Sequence, residues 1–190
     1  LTRALELAVR GRARRAECAA LNGLAVLRGA TGRPGIALRH NAAAVELARR
    51  AGDQVVEQVA TLSGAWLNLA LGRLDTADEI ATRARAGFER LGIRYGEALA
   101  DYLLGCVRNR QHRPADALRL LVEAVARFRR IGAPRYLAQA LAELATAHAG
   151  LGDRGGERTA LTEAARLHEE LGLSGAEQVT ARLSAPVTTP

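Results

Sequence analysis

Lysine is absent from all 190 residues, and every one of the 27 basic side chains is an arginine. A phosphate loop of the Walker type needs a lysine, so that nucleotide site is excluded for this stretch. Cysteine is nearly absent: Cys18 and Cys106 are the 2 present. They are too far apart for a metal or redox pair motif and too few for a disulfide framework, which points to a reducing, cytoplasmic setting. Aromatics are 3% and methionine is missing. Alanine and leucine supply most of the apolar surface, and both lose little entropy in a helix. No alternating β-branched run is long enough to suggest a sheet. No run of about 18 apolar residues offers a membrane span. The sequence opens on Leu1, not Met, and reads as a segment of a longer protein, so a missing targeting signal excludes nothing.

What is present is charge and alanine. The formal charge is +7, and a basic balance can mean a polyanionic partner. An excess of Ala, Gly and Arg with no Lys reads instead as the codon usage of a GC-rich genome. Arg10, Arg12, Arg14 and Arg15 cluster at a helix junction and are the candidate nucleic-acid contact. Acidic Glu6 and Glu17 flank them, and no aromatic is interleaved as single-strand binders require, so the cluster reads as a solvated turn.

"FERLGIRYGEALA" begins at residue 88 and "FRRIGAPRYLAQALA" at 128, forty residues on. Gly52, Gly92, Gly132 and Gly172 keep the same step, each closing a charged, helix-like run. That is the place for a left-handed C-cap. Ala44, Ala84, Ala124 and Ala164 are in register, as are Ala25, Ala65, Gly105 and Ala145. Ala37, Ala77 and Ala117 also repeat, with Glu157 breaking the series. Gly32, Gly72 and Gly152 mark an inner turn where the third copy has His112. Small residues in register let helices approach closely.

Each unit therefore reads as two antiparallel helices. The expected repeats are 13–52, 53–92, 93–132 and 133–172, with a half unit before them, a capping helix at 175–184 and a disordered tail at 185–190. Pro34, Pro114 and Pro134 are placed at first helical positions, where a missing N–H costs nothing. Thr76 with Glu79, and Ser174 with Glu177, read as capping boxes opening helices near 76 and 175. Glu79–Arg83 and Glu163–Arg166 read as helix-face ion pairs. Phe88 and Phe128, one turn before a capping glycine, are expected to plug the junction with the next unit.

Small residues spaced twelve and then seven apart, as in Ala25, Ala37, Ala44 and Ala65, Ala77, Ala84, resemble the tetratricopeptide repeat (TPR). The usual unit of that family is about 34 residues, so this one reads as having longer helices. HEAT-type repeats are the structural alternative. The resemblance implies an all-α, right-handed solenoid of helix hairpins. The long unit and its "LG" punctuation also resemble the helical-repeat regions of bacterial regulators of the SARP, LuxR and STAND types. That resemblance implies a non-catalytic protein–protein interaction scaffold used for transcriptional regulation or signal transduction. Its partner would be a protein, a peptide or neighbouring domains of the same protein, and self-association into a homo-oligomer is a further option. Two alternatives stay open: a sensor holding a small-molecule inducer near Trp66, and a nucleic-acid binder using the arginine cluster.

No cofactor or metal is implied. His40, His112, His148 and His168 have no zinc-type spacing. "GDRGG", Gly152 to Gly156, follows a helix and reads as an inter-helix turn, not a phosphate cradle. In the resembled family the first helix of each hairpin lines a concave groove. Carried over by register, the candidate ligand or peptide groove comprises Asn22, Leu62, Trp66, Leu69 and Tyr102, with Val26 and Leu99 beside them. It continues through Cys106, Asn109, Arg110, Gln139 and Thr146. Aromatic and arginine anchors dominate binding interfaces.

Overall fold

The computed structural model describes Arg3, Glu6, Ala8 and residues 14–184. The expected N-terminal half unit, the arginines at 10 and 12 and the tail 185–190 lie outside the described residues, those three positions apart. Among the described residues there are nine helices and no strand. They are α1 (Arg14–Ala30), α2 (Pro34–Arg50), α3 (Gln54–Ala70), α4 (Leu74–Arg90), α5 (Arg94–Arg110), α6 (Pro114–Ile131), α7 (Pro134–Gly150), α8 (Arg154–Glu170) and α9 (Ala176–Ser184).

From α1 to α8 the starts fall every twenty residues, so the two halves of the forty-residue unit are equal. One turn type separates them. At each, the amide that follows the left-handed residue donates back five residues: Arg33 to the Arg28 carbonyl (2.9 Å), Ile93 to Phe88 (2.9 Å), Asp153 to His148 (2.9 Å). This bond defines the Schellman motif, which needs a left-handed residue at its centre. Glycine supplies it at seven of these turns, and His112, at φ 57°, supplies it at the eighth. The prolines sit where expected, at the starts of α2, α6 and α7.

Two compact units result, Leu1–Leu103 and Leu104–Pro190. In unit 1, α1 packs on α2, α2 on α3 and α3 on α4. Its core joins Ala25, Ala37 and Leu67 in one cluster and Leu21, Ala44 and Ala60 in another. In unit 2, α6 packs on α7, α7 on α8 and α8 on α9. The in-register small residues are fully buried in both. The two breaks in that pattern have reasons. A Cβ on Gly105 would stand 2.5 Å from Leu121 Cγ, so alanine does not fit. Glu157 stays half-buried because Arg182 of α9 reaches it at 3.2 Å.

Phe88 and Phe128 are both buried. Phe88 lies where a side chain on Gly96 would be, and Phe128 stacks on Tyr136 at 5.6 Å between ring centroids. Each therefore joins a second helix to the first helix of the next hairpin. His168 holds the same register position, buried, and neither ring nitrogen has a hydrogen-bond partner.

Several local expectations are corrected. α4 opens at Leu74, which places Thr76 inside the first turn and removes the Thr76–Glu79 box. α8 opens at Arg154, inside the Gly152–Gly156 stretch read as an inter-helix turn, with Asp153 as its cap. α9 opens at Ala176 after Gly175, at φ 97°, which displaces the Ser174–Glu177 box. The side-chain caps are aspartates: Asp53 accepts from the Val56 amide and Asp153 from the Gly156 amide. Glu163 reaches back to Arg129 on α6, and Arg166 pairs with Glu170 instead.

Candidate interaction surface

The first helices of four hairpins, α1, α3, α5 and α7, carry the expected groove residues. These divide between the units, Asn22, Leu62, Trp66, Leu69 and Tyr102 in unit 1 and the other five in unit 2. Leu62, Leu69, Tyr102 and Cys106 are buried, Trp66, Asn22, Asn109 and Gln139 are half-buried, and Arg110 and Thr146 are exposed. The side chain of Val26 lies outside the described residues.

In unit 1 the face is apolar. Trp66 of α3 and Tyr102 of α5 meet with ring centroids 5.3 Å apart and planes tilted by 53°. Such tilted pairs let the positive edge of one ring meet the negative face of the other. The contact sets the two first helices side by side. On the same helices Val55 (41% exposed), Val59 (45%) and Tyr95 (40%) project into solvent, and Leu99 is half-buried. Val55 and Tyr95 are forty apart, as are Val59 and Leu99, so the four fill the same two register positions on α3 and α5. Val55, Val59 and Tyr95 were not in the sequence-derived set. The signal was available, because two apolar residues in step on a first helix repeat an exposed face as well as a buried one.

In unit 2 the corresponding face is polar, and its groups are tied from helix to helix. Asn109 Nδ2 of α5 donates to the carbonyl oxygen and to Oε2 of Glu143 on α7, both at 2.9 Å. Arg182 of α9 donates to Thr146 Oγ1 at 3.1 Å and to Glu157 at 3.2 Å. Gln139 and Arg110 are not drawn into these bonds. Polar groups already paired offer a partner less than free ones do.

Elsewhere the chemistry is structural. Of the arginine cluster, Arg15 donates to Asp53 at 2.5 Å. The Val56 amide and the Arg15 guanidinium hold the Asp53 carboxyl below its ordinary range. The Gly156 amide and His148 do the same for Asp153. Cys18 is buried, and burial raises its pKa, which suppresses the thiolate a nucleophile needs. No helix among the described residues is long and apolar enough to cross a membrane.

No protein-family profile matches the chain, and no curated protein matches it in sequence. Solved structures do match in shape. The Rap protein complexed with Competence and Sporulation Factor superposes with a TM-score of 0.77 over 86% of this chain, at 15% identity. BtubC (BKLC) from P. vanneervenii gives 0.65 over the full chain and 91% of its own length, at 17% identity. The putative kinesin light chain of Podosopora anserina, with nearly identical TPR-like repeats, gives 0.63 over 88% of this chain and 96% of its own, at 14% identity. The fold is TPR-like. The chain spans 46% of the length of the Rap protein, about half.

Proposed function

We propose that this chain is a non-catalytic scaffold whose unit 1 first-helix face docks a peptide or a segment of a partner protein through apolar anchors. The observation that carries the reading is the exposed set Val55, Val59 and Tyr95 beside the Trp66–Tyr102 pair. Apolar side chains held out on a rigid helical face lose little entropy on binding, and aromatic anchors concentrate binding energy. The Rap protein, similar in fold, is held in complex with a named factor, which fits a peptide-binding use of this architecture. The long alanine- and arginine-rich unit supports a place in a larger cytoplasmic bacterial regulator, as the part that senses a partner or restrains neighbouring domains.

Peptide display against the purified chain tests the proposal. Selected peptides should carry two or more apolar anchors. Val59→Asp, an exposed substitution that leaves the core intact, should weaken them about tenfold, the effect of about 1.4 kcal/mol. Peptides that bind Val59→Asp as well as the parent, or that are selected on acidity alone, would place recognition elsewhere.

A further inference from the structure

One junction breaks the repeat pattern in a way that the peptide face does not explain. The second helices α2 and α4 flank α3, and a cleft of about 370 Å³ lies between them. Its floor and walls include Asn41, Thr61, Gly64 and Asn68. Gly64 stands where every other copy has leucine, and Asn41, Thr61 and Gly87 (near by on α4) stand where two other copies each have leucine. In steps of forty, Asn41 corresponds to Ala81, Leu121 and Leu161, Thr61 to Leu21, Asp101 and Leu141, Gly64 to Leu24, Leu104 and Leu144, and Gly87 to Leu47, Arg127 and Leu167. In unit 2 the corresponding Leu121, Leu141, Leu144 and Leu167 are buried core. The replacements fit each other. A Cβ at position 64 would stand 2.5 Å from Asn41 Oδ1, and one at 87 would meet Gln58, so the glycines make room for two amide side chains. Asn41, Thr61 and Asn68 are more than nine-tenths buried. Local breaks with an otherwise consistent pattern concentrate at functional sites.

The lips of the cleft differ in the same register. In unit 2, Arg129 of α6 forms a two-pronged ion pair with Glu163 of α8, at 2.8 and 2.9 Å, joining the second helices. The corresponding residues in unit 1 are Arg49 and Arg83, two cations that cannot pair. Arg49 is held by Glu46 and Glu57 at 3.2 Å each. Arg83 and Arg90, one face of α4, form no ion pair among the described residues, and both line the cleft. Where unit 2 has an apolar filling and a charge-paired seam, unit 1 has these two guanidinium groups beside amides and a hydroxyl. Each of the latter spends one hydrogen on a backbone carbonyl (Asn41 on Ala60, Thr61 on Glu57, Asn68 on Gly64, all at 2.8 Å) and keeps its oxygen for a ligand's donors.

We infer that this cleft binds a small polar organic anion, its carboxylate or phosphate at Arg83 and Arg90 and its body hydrogen-bonded to Asn41, Gln58, Thr61 and Asn68. The volume is that of a small-molecule site, near the lower end of the usual range of about 300–1,000 Å³. Guanidinium groups suit both carboxylate and phosphate. The site uses α2, α4 and the side of α3 that carries Thr61, Gly64 and Asn68, opposite the side that carries Val55, Val59 and Trp66, so it is separate from the peptide face and stands or falls independently of it.

The test is an NMR titration of the labelled chain with citrate, N-acetylglutamate and glucose 6-phosphate, against the neutral probes N-acetylglutamine and glucose. At least one anion should saturate at millimolar concentration or below, shifting the Gly64 and Gly87 amides and the side-chain amides of Asn41 and Asn68. Arg83→Glu recreates the charge pattern of unit 2 on an exposed position, and it should weaken that binding about tenfold or more. Gly64→Leu with Asn41→Leu, copied from the fourth repeat, should abolish the shifts in a chain that remains helical and melts cooperatively. Anions that shift arginine-rich surface signals generally, unchanged in Arg83→Glu, would overturn the proposal. So would an acidic peptide that shifts the cleft signals where no free anion does, since that would assign the site to carboxylates of a protein.

Discussion

Units 1 and 2 are written in one register and filled differently. Where first helices meet, unit 1 uses the Trp66–Tyr102 ring contact, and unit 2 uses the Asn109–Glu143 and Arg182–Thr146 hydrogen bonds. Where a second helix meets the next first helix, unit 1 has the Arg85–Asp101 ion pair at 2.5 Å. Unit 2 has Val125 and Leu141 at the corresponding positions, both buried. The backbone frame, set by equal helices and repeated Schellman turns, is thus indifferent to what joins its parts. It tolerates aromatic, ionic or aliphatic contacts, which leaves its faces free to specialise.

The sharpest way to break this comparison is at Arg85. Asp101 is 1% exposed, so Arg85→Val leaves a buried carboxylate without its guanidinium, at an expected loss of about 3 kcal/mol in urea unfolding. Arg85→Val with Asp101→Leu copies unit 2, and the double variant should match or exceed the parent in stability. If the double variant is as weak as the single one, the junctions are not interchangeable.

A smaller effect of opposite sign belongs to His168. It stands where unit 1 has Phe88, with both ring nitrogens buried and unpartnered. His168→Phe should raise stability by about 1–2 kcal/mol, seen as a higher Tm. A fall would mean that the last junction is shaped for the smaller ring. Next comes His112, whose left-handed backbone is adopted at the other turns by glycine. His112→Gly should stabilise by about 1 kcal/mol, measured by the same denaturant midpoint.

The smallest effect is in acid. The folded-state pKa values of Asp53 and Asp153 are depressed, most by amide hydrogen bonds at the helix starts. Their contribution is therefore present above the unfolded carboxylate pKa of about 4 and is lost as pH falls through the lower, folded value. Asp53→Asn should flatten the acid limb of the stability curve through α3 in unit 1, and Asp153→Asn through α8 in unit 2. An unchanged limb in both would remove the capping carboxylates from the acid response.

The frame was legible in the sequence because steric rules are local. A left-handed turn centre calls for glycine, and a close helix contact calls for alanine, so both recur in step. Pro34, Pro114 and Pro134 marked helix starts for the same kind of reason. Thr76 misled because a capping box is a short pattern that can occur inside a first turn, while Asp53 and Asp153 had no acidic residue three places on to announce them. The face was half legible. Register carried Trp66 and Tyr102 to one surface, but their mutual contact depends on how adjacent hairpins rotate, which no spacing encodes. Leu62 and Leu69 were placed on the face and are buried, because aliphatic residues in step serve core and surface alike. The polar junction around Asn41 and Gly64 became visible only when the positions that depart from the repeat were found to lie together.

Trp66 is the only tryptophan in the chain, and it reports from within the proposed docking face. Its emission, followed during titration with a display-selected apolar peptide, should shift to the blue and saturate, with no saturation in Val59→Asp. Emission that stays constant while the peptide demonstrably binds would contradict the assignment of that face.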